Sequence, residues 1–255
     1  MIKTKFIIFS ILFSFILPKN SLDIISYNIH GFPSKKNTDN ILEIIDNIGF
    51  YDMLFIQENW KYNNLFLSKM KDYRFIFSKK INKSIYSSGL MIGYKKEINL
   101  IKYNERFFSD CNGYFFNGSD CLASKGFIHL KVFYKDTEIN VINTHLDSGQ
   151  SNKDQLVRRK QLKELKEYIV NNQLEEPIIM CGDFNIDYLK NEGNQIKKFI
   201  SDLNLNFVEW SDKYFLDKID YIFYSGFKNI KAEAEDILYG LSDHPPMQAI
   251  FKFIK

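Results

Sequence analysis

Short apolar runs rich in Ile, Phe, Tyr and Val recur along the chain, at residues 22–29, 53–57, 75–77, 90–94, 126–133, 139–144, 178–181, 218–224 and 247–253. Their length and β-branched content predict strands. Helical spacing shows between some of them. Thr38 is placed to cap a helix whose face is Ile41, Ile44, Ile45 and Ile48, ended by Gly49. A second helix is expected over 152–170, with Leu162, Leu165 and Ile169 on one side. Strands outnumber helices and do not alternate strictly with them. The expected fold is therefore an α/β four-layer sandwich, two packed mixed β-sheets flanked by helices, rather than a doubly wound parallel sheet. No dinucleotide or Walker phosphate loop is present.

The N-terminus reads differently. Lys3 and Lys5 precede an unbroken apolar or hydroxyl run over residues 6–17, closed by Pro18, Lys19 and Asn20. Twelve residues fall short of the ~20 a membrane-spanning helix needs, so a secretory signal peptide over residues 1–20 is expected, followed by one domain over 21–255. No small-x-small triplet precedes Ser21, which leaves an uncleaved membrane anchor as the alternative. A buried first helix fits less well, because the run has no polar face. If the chain is exported, Cys111 and Cys121, ten residues apart in a Gly/Ser/Asn-rich stretch, are candidates for a disulfide, with Cys181 a buried thiol.

With 45% hydrophobic and 25% charged residues among 255, disordered and low-complexity classes are excluded. The formal charge of +3 invites a polyanion partner until its position is read. Three of the 34 basic residues, Lys3, Lys5 and Lys19, lie in residues 1–20 and none of the 31 acidic ones does. The remainder is formally neutral, so charge gives no argument for nucleic acid. Arg158, Arg159 and Lys160 are expected on the solvated face of the second helix.

Nearly every apolar run ends on polar groups: Asn28 and His30; Gln57 and Glu58; Asn143, Thr144 and His145; Asp183 and Asn185; Asp243 and His244 before the last run; and Asp220 inside 218–224. Each alone is an ordinary cap or turn. Together they are how an α/β scaffold collects a site from distant positions. Glu58 with Asn28 offers hard oxygen ligands and suits Mg²⁺ or Ca²⁺. Asp183 and Asn185, two apart on extended chain, would point the same way, one to a water and the other to a substrate oxygen. His145 and His244 add a proton shuttle or cationic stabilisation, and Asp220 is able to fix the His244 tautomer. This is equipment for in-line hydrolysis of a phosphate ester.

At these residues the chain resembles the endonuclease/exonuclease/phosphatase superfamily, the DNase I-like fold. The matching segments are Ser26-Tyr27-Asn28, Phe55-Ile56-Gln57-Glu58, Asn143-Thr144-His145-Leu146, Gly182-Asp183-Phe184-Asn185, Ile219-Asp220-Tyr221-Ile222 and Ser242-Asp243-His244-Pro245, in the family's order. The resemblance implies a divalent ion, Mg²⁺ with Mn²⁺ or Ca²⁺ as alternatives, on Glu58 and Asn28. It further implies Asp183 orienting the water, Asn185 and His145 on phosphate oxygens, an Asp220–His244 dyad, and Asp243 supporting the metal's water shell.

Within that superfamily the segment from Asp120 to Gly126 is similar to one in neutral sphingomyelinases, where an Asp and a Lys, here Asp120 and Lys125, flank the site. Gln57-Glu58-Asn59-Trp60 is similar too. Five aromatics, Phe107, Phe108, Tyr114, Phe115 and Phe116, lie close together just before it, either as an exposed patch for a lipid interface or as a buried cluster. Bacterial sphingomyelinases carry a long aromatic-tipped hairpin between the segments matching Asp220 and Asp243. Here 221–242 is short and contains the acidic run 233–236. The resemblance implies a secreted, monomeric phosphodiesterase that hydrolyses sphingomyelin at a membrane surface. A secreted DNase I-like endonuclease acting on DNA is the alternative. An inositol-phosphate phosphatase fits less well, because Asp217-Lys218-Ile219 departs from that family's pattern, and a non-catalytic relic fits less well because no site residue is missing.

Overall fold

The structure is a computed structural model that describes residues 20–81, 84–114, 119–210, 217–230 and 236–253. The proposed signal segment, apart from Asn20, lies outside the described residues, as do Phe115, Phe116 and all but Asp236 of the acidic run. Two sheets of six strands pack face to face. The first holds β1 (Ser21–Asn28), β2 (Met53–Gln57), β3 (Tyr73–Phe77), β4 (Met91–Lys95), β11 (Phe227–Ile230) and β12 (Met247–Phe253), in the order β11-β12-β1-β2-β4-β3. The second holds β5 (Asn99–Phe107), β6 (Gly126–Tyr134), β7 (Thr137–His145), β8 (Ile178–Asp183), β9 (Asn206–Phe207) and β10 (Asp220–Ser225), in the order β5-β6-β7-β8-β10-β9. Helices α1 (Lys35–Asn47) and α2 (Asn63–Lys69) cover the first sheet, and α3 (Asn152–Asn171) and α4 (Gly193–Asp202) the second. The expected four-layer arrangement is observed.

Burial on both faces explains why the central strands read as continuous apolar runs. Ile24, Phe55, Val141, Cys181 and Ile222 point into the core between the sheets. Their neighbours Ile25, Leu54, Ile142, Met180 and Phe223 face outward, under α1 and α2 or under α3 and α4. A one-residue slip would exchange the two sets, so the register is firmly specified.

Several elements differ from expectation. Helix α1 starts earlier, capped by the Ser34 hydroxyl, which accepts the Asn37 N–H at 3.0 Å; Thr38 lies inside the helix and donates to the Ser34 carbonyl at 2.7 Å. Strand β10 starts at Asp220, which places that carboxylate at the strand mouth rather than within it. Strand β5 gave no apolar signal because it is a sheet edge, its first four residues exposed. Helix α2 is too short to show a period and buries only Phe66, whereas α4 buries Ile196 and Phe199 without a side-chain cap to announce it.

Candidate active site

Topology gathers the polar strand ends. β1 and β2 run parallel and finish together at Asn28 and Gln57, as β7 and β8 do at His145 and Asp183. Antiparallel neighbours begin at the same edge: Asp220 pairs with Asp183, Gly126 with His145, and Met91 with Ile56. The two edges meet through a buried polar tie between the sheets. Gln57 Nε2 donates to Asn143 Oδ1 at 2.7 Å, and Asn143 Nδ2 donates to the carbonyls of Ile56 and Met91 at 2.9 and 3.0 Å. Asn143 engages its amide oxygen and both N–H donors, whereas Gln57 Oε1 has no hydrogen-bond partner among the described residues; the tie helps fix how the sheets face each other.

Asp183, 1% exposed, sits at the centre. Its Oδ2 accepts from Asn28 Nδ2 at 3.1 Å and lies 3.5 Å from His145 Nε2 and 3.7 Å from His244 Nε2; its Oδ1 accepts the Asn185 N–H at 2.9 Å. Asn28 Nδ2 also reaches Glu58 Oε1 at 3.3 Å, bridging the two carboxylates. Asp220 Oδ2 lies 2.8 Å from His244 Nδ1, the expected dyad geometry. Burial, then the neighbouring Asp220 charge, raises the Asp183 carboxyl above the ordinary range. Burial works against the His244 cation, but Asp220, by charge and hydrogen bond, with Asp183 and Asp243 behind it, overrides that and lifts the imidazole to about 10. His145 goes the other way. Burial, then the charges of Lys125 and His244, holds it well below its ordinary value, so it is neutral beside a cationic partner.

Glu58, Asp243 and His30 form the outer rim. His30 Nδ1 lies 3.3 Å from Asp243 Oδ2 and 3.7 Å from Glu58 Oε2. Ser242 Oγ ties this rim to β1 by donating to the Asn28 carbonyl at 2.7 Å. Two donor sets thus fit a divalent cation by their chemistry. One is the carboxylate pair Glu58 and Asp243, beside which Asn28 turns its amide nitrogen toward Glu58 and accepts the His30 N–H on its Oδ1 at 3.1 Å; the other is Asp183, Asp220 and His244, whose ligand atoms lie within 4.8 Å of one another. The second set spends His244 Nδ1 on Asp220, whereas Glu58 opens onto the cleft, so Glu58 is the better anchor for a hard cation.

Asp120 and Lys125 are not a solvated turn. They form a buried ion pair at 3.1 Å, 7% and 5% exposed at the side chain. Lys125 Nζ also donates to the Leu146 carbonyl at 3.0 Å, and Asp120 Oδ2 accepts from Ser148 N and Oγ at 3.1 and 2.9 Å. The loop at 146–149 is pinned from behind by Arg158. Far from lying on a solvated face, Arg158 is 1% exposed, donates to the carbonyls of Asp147, Ser148 and Gly149, and pairs with Glu192 through Nε and Nη2 at 3.0 and 2.7 Å. Lys160, on the outer side, pairs with Asp110. Cys111 and Cys121 are joined by a disulfide, and Cys181 is a buried thiol.

Asn185 does not share an extended face with Asp183. The strand ends at Asp183, Asn185 adopts a left-handed φ of 52°, and its amide donates to the Leu146 carbonyl at 3.1 Å, beside a neighbouring depression lined by Gln150 and Asp187. The aromatic segment is split as well: Phe108 packs against Phe127, whereas Tyr114 is exposed.

The sequence profile of the Endonuclease/Exonuclease/phosphatase family matches residues 25–244. The chain belongs to that family. Over 90 residues, 33% of this chain, it is 32% identical to Sphingomyelinase C of Bacillus cereus, and over 102 residues, 36% of the chain, it is 31% identical to Sphingomyelinase C 2 of Leptospira interrogans. These matches span 27% and 16% of the relatives' own lengths. A solved beta toxin variant from Staphylococcus aureus with bound magnesium ions superposes with a TM-score of 0.72 at 19% identity, covering 90% of this chain and 99% of that one. The last likeness speaks to the fold.

On this family scaffold the strand-end residues open into a cleft of about 430 Å³ lined by His30, Glu58, Asp120, Lys125, His145 and Asp243. Its remaining walls include residues outside the strand-end pattern: Phe32, Trp60, Tyr86 and Ser148. His30 had a strand-end signal, but nothing in the sequence says it sits between two carboxylates. For the rings a faint signal exists, since Phe32 and Trp60 each follow a strand-end polar residue by two positions.

Proposed function

We propose that this chain is a divalent-metal-dependent phosphodiesterase of the sphingomyelinase type, hydrolysing sphingomyelin to ceramide and phosphocholine by attack of water on phosphorus. The observation that carries the reading is the Asp183 carboxylate, held at the meeting of four strand ends between a neutral His145 and a cationic His244, behind a cleft edged by Glu58. The partial identity with two sphingomyelinases and the buried Asp120–Lys125 pair direct the substrate choice.

In this reading Asp183 orients the attacking water and takes its proton, the role a carboxyl with a raised pKa suits. The His244 imidazolium, fixed by Asp220, faces negative charge growing on the phosphoryl oxygens, and neutral His145 hydrogen-bonds one of them. Asn185 with Lys125 fixes the Leu146 carbonyl; a direct contact with phosphate would require releasing it. Glu58, Asn28 and Asp243 would hold the cation, Mg²⁺ being the best fit and Mn²⁺ or Ca²⁺ alternatives. When bound, it supplies Lewis-acid stabilisation of a poor leaving alkoxide. Residues 21–255 make one catalytic domain, residues 1–20 direct export, and the protein works as a secreted monomer at a membrane surface.

The test is to incubate the purified protein with sphingomyelin liposomes, phosphatidylcholine liposomes and plasmid DNA, each with Mg²⁺ or chelator. Phosphocholine release from sphingomyelin, abolished by chelator, is expected. DNA nicking without phosphocholine release would replace the lipid reading by the nuclease one.

A further inference from the structure

Asp147 is a fully buried carboxylate that no step of the chemistry uses. Its Oδ2 accepts the Asn112 N–H at 2.6 Å and its Oδ1 accepts from Gln161 Nε2 at 2.7 Å, while its own N–H donates to Gln161 Oε1 at 2.9 Å. Burial, then the Asp120 charge, pushes the carboxyl up to about 6, against the opposing pull of Lys125 and of the two hydrogen bonds. Holding a charge out of water is costly unless its hydrogen bonds are used in full, and here both oxygens are spent on fixing neighbouring segments.

Those segments close two rings that share one side. The first ring runs from Lys125 Nζ to the Leu146 carbonyl at 3.0 Å and along the chain to Ser148; it continues from Ser148 N to Asp120 Oδ2 at 3.1 Å, and from Asp120 Oδ1 back to Lys125 Nζ at 3.1 Å. The second leaves Asp120 for its neighbour Cys121, crosses the disulfide to Cys111, and returns from Asn112 N to the Asp147 carboxylate. Asp147, Ser148 and Asp120 belong to both. The Cys121 N–H also donates to the Gly113 carbonyl at 3.0 Å, and Gln161 Nε2 to the Asp110 carbonyl at 3.0 Å, so the disulfide segment is fastened to α3 as well as to the loop. Asp147 is where the two rings and the helix meet.

What the rings seat is Lys125. Its ammonium lines the cleft with His145 and Glu58, and its charge is one of those that keep His145 neutral. A flexible four-carbon stem has no fixed position of its own; this one is placed by two acceptors, Asp120 Oδ1 and the Leu146 carbonyl, and both sit on the first ring. We propose that Asp147 is a positioning residue: with the Cys111–Cys121 disulfide as second arm, it clamps the 146–148 loop against Asp120 and so holds Lys125 in the cleft wall. Asp147→Asn is the smallest break, because an amide of the same shape offers one oxygen where two donors meet two. Only the effect on rate rests on the phosphodiesterase reading; the seat of Lys125 is measured without substrate.

Acetic anhydride labelling of the full chain, read by peptide mass spectrometry, tests the clamp directly. In the wild type Lys125 is expected to react at least about 10-fold more slowly than exposed Lys153; in Asp147→Asn the difference falls to about 2-fold or less, while buried Lys218 keeps its protection. Lys125 still protected in the variant overturns the clamp. Should Asp147→Asn expose Lys218 too, Cys111→Ser with Cys121→Ser, which opens the other arm, carries the same comparison, and exposure of both lysines there as well overturns the clamp. Rates on sphingomyelin vesicles with Mg²⁺ are followed in Asp147→Asn, Lys125→Met and the double variant. Asp147→Asn is expected to lower kcat about 10-fold with KM within about 2-fold, and to lower nothing further in the Lys125→Met background. Losses that multiply in the double variant would mean that Asp147 acts by another route than Lys125, and overturn the clamp. A wild type that cleaves no sphingomyelin, with Lys125 protection lost in Asp147→Asn, retires the lipid reading and keeps the clamp.

Discussion

Replacing Glu58 by Gln removes the one carboxylate among the described residues that both touches Asn28 and opens onto the cleft, while changing neither size nor packing. His244→Ala takes away the cation that Asp220 holds 2.8 Å away. Each is expected to lower turnover by at least about 10²-fold with the circular dichroism and melting of the protein preserved; near-normal rates in either would mean the chemistry lies elsewhere. At this scale the sequence was informative about chemical type. Carboxylates, amides and imidazoles at strand ends were visible, and so was their order. It could not show that Asn185 turns away into a left-handed conformation, because two-residue spacing predicts a shared face only while the chain stays extended. Nor could it show that His30 comes between Glu58 and Asp243, a meeting of three loops from distant parts of the chain.

Helix α3 carries the main lesson at the scale of elements. Its apolar positions, Leu162, Leu165 and Ile169, are legible from periodicity, and its start is marked by a capping box between Ser151 and Asp154. Arg158 is not legible: a basic residue inside a basic run reads as solvated, yet this one is buried and holds three successive carbonyls of the loop that receives Asp120 and Lys125. Arg158→Met leaves Glu192 unpaired and those carbonyls without a donor. It is expected to cost about 3–5 kcal/mol in urea denaturation, and Arg158→Met with Glu192→Leu distinctly less. A loss below about 1 kcal/mol in the single variant would show the ion pair to be surface-like. Strand β5 and helices α2 and α4 escaped the sequence for simpler reasons: an exposed edge, a single buried residue and an uncapped start give periodicity little to register.

For the whole molecule, the order and length of the apolar runs were enough to imply two packed sheets, and the structure shows why. Strands buried on both faces must be apolar throughout, while the polar residues that interrupt them collect where parallel strands stop and antiparallel ones begin. Among the described residues no helix is long and apolar enough to cross a membrane. Among the described residues the cleft itself is lined by the aromatic rings of Phe32, Trp60 and Tyr86. The central claim is that this arrangement directs water onto phosphorus. Its most direct measurement is hydrolysis of sphingomyelin vesicles with Mg²⁺ in water enriched in oxygen-18, followed by mass spectrometry of both products. The label is expected in phosphocholine and not in ceramide; label in the ceramide hydroxyl, or no phosphocholine at all, would contradict water attack on phosphorus.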